Sequence, residues 1–160
     1  MRARAFLIAG LLSAASFAGC GRHVDAPDAA AESFILYSID GYEDPKNKSL
    51  ESFHGYPVLG KRSVKDTKTR EELVAAFEDG VSRSDGEGYT CFWPRHAIRT
   101  VRGGKTTDYL ICFECHQYQV FIGEEFPPYK TIDGAPLAKF NAILRRTGLP
   151  LAPTEPPDFK

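Results

Sequence analysis

A chain of 160 residues has the length of one domain with modest appendages. Its 42% hydrophobic and 26% charged residues exclude both a disordered tract and a polytopic membrane protein. Twenty basic against 21 acidic side chains leave a net charge of −1, which provides no basic footprint for nucleic acid.

Arg2 and Arg4 precede an apolar run over residues 5–18 that includes Phe6, Leu7, Ile8, Leu11, Leu12 and Phe17. A bilayer-spanning helix takes roughly 20 apolar residues, so this shorter run reads as the core of an export signal. It ends in Phe17-Ala18-Gly19-Cys20, which resembles the bacterial lipobox, with Phe17 where leucine is usual. The resemblance implies diacylglyceryl transfer to the Cys20 thiol, removal of residues 1–19 as a lipoprotein signal peptide, and acylation of the new N-terminus. Acyl chains worth about 0.8 kcal/mol per buried CH₂ would then hold the protein on a membrane, its expected partner. The domain would face the periplasm, and Gly21 after the cysteine leans the location toward the outer membrane. A plain secretory signal cut nearby is the alternative. Loss of residues 1–19 leaves 18 basic against 21 acidic residues, a net −3.

Residues 21–32 carry no apolar period and contain Pro27, so 20–33 is expected to be a flexible tether, with His23 a solvated linker histidine. Pro150, Pro153, Pro156 and Pro157 forbid a regular element, which makes 152–160 a Pro-rich tail. A single domain spans 34–151. Its first β-branched and aromatic run, residues 34–39, reads as a strand ending in an Asp40-Gly41 turn. Residues 44–49 form a polar loop. A second strand at 56–64 carries Pro57 and Gly60, signs of an edge position or a bulge. Asp66 or Thr69 caps a helix over 67–83 whose stripe is Leu73, Val74, Phe77 and Val81. A shorter helix over 136–147 begins with Pro136, presents Leu137, Phe140, Ile143 and Leu144, and stops at Gly148. Between the helices, 97–101 and 106–122 are strand-like about a Gly103-Gly104 turn, making 89–122 a central hairpin. The whole reads as α+β, an antiparallel sheet of about 4–5 strands packed with one or two helices.

The runs Phe53–Gly60, Cys91–Arg99 and Ile111–Cys115 resemble those of a family of uncharacterised exported bacterial lipoproteins with CFxPRHxI and ICFEC motifs. That likeness implies an exported domain and no particular activity.

With Cys20 assigned to lipid, Cys91, Cys112 and Cys115 remain, an odd number in a compartment where disulfides persist. A two-residue turn at Gly103-Gly104 makes paired numbers sum to 207, so Ile98 faces Tyr109 and Arg95 faces Cys112. A one-residue bulge at Pro94 then brings Cys91 opposite Cys115, the favoured disulfide, worth about 3 kcal/mol for such a loop. Cys112 and Cys115 fall on opposite faces if the strand continues. Alternatively Cys91, His96, Cys112 and Cys115 are a tetrahedral zinc set, the one cofactor the sequence suggests. A redox Cys-x-x-Cys would need a helix after it, where the sequence has a strand pattern. Along a continuing strand Cys112, Glu114 and His116 share a face near Arg95, a possible thiol or anion site. The plainer account of that group is an Arg95–Glu114 ion pair with a buried thiol. His96 reads as a hydrogen-bonded structural residue, His54 as a loop histidine packed by aromatics, and Trp93 as core or rim. No phosphate-cradling loop, H-E-x-x-H or nucleophile elbow is present, so a non-catalytic binding or structural role is expected, with no catalytic residue named.

Overall fold

The computed structural model describes residues 26–44, 47, 50–123 and 126–156, and the export signal, Cys20 and His23 lie outside them. Alternation along the strands builds the core. On β1 (Ser33–Ile39), Phe34 and Leu36 point to one face while Tyr37 and Ile39 serve the other. The register continues that division through β4 (His96–Arg102), β5 (Lys105–Cys112) and β6 (Gln117–Phe121), where Leu36, Ile98, Tyr109 and Val120 lie in one cross-strand row. Adding β2 (Ser52–Phe53), β3 (Tyr56–Ser63) and β7 (Lys130–Thr131) gives a seven-stranded antiparallel sheet in the order β2-β3-β1-β4-β5-β6-β7.

Two helices cover the Leu36 face. Helix α1 (Thr67–Arg83) is capped by Asp66, whose carboxylate accepts from Thr69 N at 2.8 Å, and buries Leu73 and Phe77. Helix α2 (Leu137–Arg146) starts at Pro136, buries Phe140, Ile143 and Leu144, and is followed by Gly148 at φ 77°. Glu72 of α1 accepts from Arg146 of α2 at 2.8 Å, joining the helices. No helix among the described residues is long and apolar enough to cross a membrane.

The α+β class, both helices and the 207 register are as expected, since Ile98 faces Tyr109 and Arg102 faces Lys105. Glycines 103 and 104 take φ of 56° and 75°, the paired left-handed conformation that a two-residue hairpin loop requires. The bulge expected in 56–64 lies where Gly60 faces Ser38 and Val58 faces Ile39. The sheet is larger than four or five strands, because β2 and β7 have only 2 residues each and leave no periodic signal. The 89–122 hairpin also needs correction. Residues 89–95 form no strand, and 106–122 is not continuous: β5 ends at Cys112 and β6 begins at Gln117.

Both ends of the domain extend past 34–151. Within the expected tether, residues 26–32 lie against the fold: Ala31 is buried, and Arg70 Nη1 donates to Ala31 O at 2.7 Å. In the tail, Pro153 O accepts from Arg95 Nη1 at 3.2 Å and Thr154 O from the Tyr42 hydroxyl at 3.2 Å.

Candidate functional site

The face without helices carries a charged row. The 207 register sets Arg99 opposite Asp108, and the next pairing sets Asp108 opposite Phe121. Arg99 Nε and Nη2 each donate to Asp108 at 2.7 Å, a two-pronged bond between directly opposed strands. From the far side of the sheet, the tight turn between β2 and β3 folds over this row. Its central residues, His54 and Gly55, have φ of 49° and 95°, and Phe53 pairs with Tyr56 across it. His54 Nε2 comes within 2.7 Å of Asp108, and its ring stacks on Phe121 at 3.8 Å. The sheet is therefore curled until its β2 end meets β5 and β6. Arg99 lies over the Phe53 ring at 4.9 Å. Burial by itself would raise the Asp108 carboxyl, but the bonds from Arg99 and His54 hold it below the usual carboxylate range.

Beside this triad opens a groove of about 510 Å³, lined by Glu43, His54, Tyr56, Gln119, Phe121 and Phe126 with Tyr129 at its rim. Two ring clusters meet there. Phe126 stands edge-on to Phe121 at 6.4 Å, while Phe92 stands edge-on to Tyr56 at 6.4 Å and to Tyr129 at 4.9 Å. Phe126 is 95% exposed and Tyr129 is 56% exposed, large apolar surfaces left in water. Burial, reinforced by Tyr129 and Glu43, pushes the Tyr56 phenol up to about 12, so it stays a neutral donor. Gln119 is held by a 2.9 Å bond from its Nε2 to Pro127 O.

Among these residues only His54 stands out in the sequence, as a packed loop histidine, and its Phe53 and Phe121 contacts agree. Asp108 was legible in principle, because the 207 register already puts a lone carboxylate opposite Arg99. The groove residues had no such signal.

At the other end of β5 the favoured cysteine pairing is corrected. Cys112 is joined to Cys115, with Cα atoms 5.2 Å apart, and Cys91 is a free, half-buried thiol. The opposite-face argument assumed a continuing strand, but residues 113–116 turn: His116 N donates to Phe113 O at 3.3 Å and Cys115 N to Cys112 Sγ at 3.2 Å. Residues 89–93 do run past Cys115, with Tyr89 N on its carbonyl at 3.0 Å and Trp93 N near its sulfur at 3.4 Å. A partner three residues away closes the shorter loop and loses the least chain entropy.

The same turn disperses the Arg95, Cys112, Glu114 and His116 group. Cys112 is buried in its disulfide, Glu114 pairs with the buried Arg95, and His116, at φ 54°, lies beside the Tyr89 ring. The ion pair anticipated between Arg95 and Glu114 is present. Of the tetrahedral set Cys91, His96, Cys112 and Cys115, two members are bonded to each other and His96 Nε2 bonds Asn141 Oδ1 at 2.9 Å. Among the described residues no three His, Cys, Asp or Glu side chains converge as a metal group. Trp93, 45% exposed against Tyr42, sits at the rim.

No family model, curated protein or solved structure matches this chain.

Proposed function

We propose that this protein is a lipoprotein of the bacterial cell envelope whose domain binds a small ligand in the groove beside His54 without transforming it. The observation that carries the binding reading is the groove itself: about 510 Å³ bordered by the exposed rings of Phe126 and Tyr129. Small-molecule sites are concave, largely apolar and supplied with a few fixed polar groups, a description the His54, Gln119 and Glu43 lining meets. The buried Cys112–Cys115 disulfide supports an oxidising compartment. The lipobox-like end of the export signal at Cys20 supports the membrane anchor.

Expression in a bacterial host with labelled palmitate tests the anchor. The wild-type chain is expected to incorporate label and lose residues 1–19, while Cys20→Ser stays unlabelled and keeps its leader. A Cys20→Ser chain cleaved at the same position would overturn it.

A thiol-dependent protein is the second reading, favoured by the free Cys91 thiol in a segment held against Cys115. Its zinc form predicts stoichiometric metal on the purified protein and three alkylatable thiols in the domain after chelation.

A further inference from the structure

We infer that the groove receives an organic ammonium group, with Glu43 as its counter-ion and the rings of Tyr56, Phe126 and Tyr129 as its walls. The inference rests on the reading of the groove as a ligand site and names the chemistry of that ligand.

Charge is the first argument. Among the described residues lining the groove none is Lys or Arg and one carries a carboxylate, Glu43, which is exposed with no described side chain paired to it. The Arg99 guanidinium is committed to Asp108 by two bonds of 2.7 Å, and His54 Nε2 lies against the same carboxylate. Among the described residues, then, no cation compensates Glu43 against an entering anion, whereas a cation would neutralise it.

The walls are the second argument. Aromatic faces attract a cation through their negative quadrupole, and alkylated ammonium groups, weakly hydrated, gain most from such surroundings. Three rings with a carboxylate supply that combination, and the two exposed ones gain cover when a ligand enters. A neutral sugar would instead need several free, converging hydrogen-bond groups. Here the Gln119 amide nitrogen is already bonded to Pro127 O and the Tyr56 hydroxyl faces Phe92 O at 3.5 Å.

Position is the third. Glu43 adopts φ 53°, a left-handed conformation that a glutamate seldom takes. The buried Asp40 holds that loop by accepting from Tyr42 N at 3.1 Å, Asp44 N at 2.8 Å and Asn47 Nδ2 at 2.9 Å. Glu43 thus reaches the groove on a braced backbone.

The test uses the mature lipidated protein in a maltoside detergent and follows the N-methyl proton resonance of choline chloride. Choline is expected to bind saturably with an upfield shift from the rings, and 3,3-dimethyl-1-butanol, its uncharged isostere, about tenfold or more weaker. Glu43→Gln and Phe126→Ala each change an exposed side chain and are expected to weaken choline about tenfold with an unchanged melting curve. Glycerophosphocholine binding as tightly as choline would place the ammonium on a lipid headgroup, and preference for free choline would place it on a soluble compound; both support the inference. Equal affinity for choline and its isostere, or full affinity in Glu43→Gln, overturns it while leaving the groove a ligand site. If choline fails but p-cresol binds, the ammonium class falls alone. If no probe binds, the binding reading falls with it.

Discussion

His96 sits buried between the rings of Phe113 and Phe140, at 5.4 and 5.6 Å, and burial pulls its pKa from 6.5 down to about 4 despite the bond to Asn141. In the unfolded chain the imidazole takes up its proton near pH 6.5, while the folded chain resists until about pH 4. The unfolded state therefore binds more protons across that window, and stability falls as pH falls, by about 3 kcal/mol in all. Asp108 acts in a lower window. Its folded pKa lies below 3.8, so the stabilisation from Arg99 and His54 is complete above that range and lost as pH drops through the folded value. Urea midpoints between pH 7 and 4 should accordingly flatten in His96→Gln, which can keep a bond to Asn141. In Asp108→Asn the loss above pH 4 should persist and the steeper acid limb disappear. That His96 is structural was readable from its apolar neighbours. The partnership of His54 with Asp108 was not, because the two lie far apart in sequence.

The 113–116 turn shows where element prediction fails. Cys112-Phe113-Glu114-Cys115-His116 contains no Gly, Pro, Asn or Asp, so nothing in it announces a reversal. The turn is held instead by the disulfide, by His116 in a left-handed conformation and by Phe113, buried against Phe140 at 4.9 Å. Length was the usable warning, since strands rarely exceed about 10 residues and 106–122 would be far longer. Closing so short a loop stabilises by about 2 kcal/mol, against about 3 for a Cys91–Cys115 loop. Alkylation of the native protein should label Cys91 among the three domain cysteines, and a Cys112→Ser/Cys115→Ser pair should lose about 2 kcal/mol in urea. A mapped Cys91–Cys115 peptide would reverse this assignment. The helices were legible because both cap chemistry and the apolar stripe lie within one stretch of chain.

Over the whole molecule, Arg70 ties distant parts together. From α1 its Nε donates to Val64 O at 2.6 Å, its Nη1 reaches Ala31 O at 2.7 Å, and the guanidinium lies over Phe34 at 5.7 Å. Residues 26–32 thus belong to the domain, although their composition reads as a tether, because Arg70 captures backbone carbonyls that any sequence would offer. Arg70→Met should release this segment, cost about 2 kcal/mol in urea, and open residues 26–32 to limited proteolysis. Unchanged protection would show that Ala31 and its apolar neighbours suffice.

By itself the sequence determined the α+β class, both helices and the register of the Gly103-Gly104 hairpin, since periods of 2 and 3.6 and turn chemistry act between near neighbours. Only the tertiary structure decided the disulfide partner, the docked ends and the groove. Each depends on how far the sheet curls and where the chain reverses. The meeting of His54 with Asp108 is set by the summed packing of strands in between, and such a sum leaves no mark on any one segment of the chain.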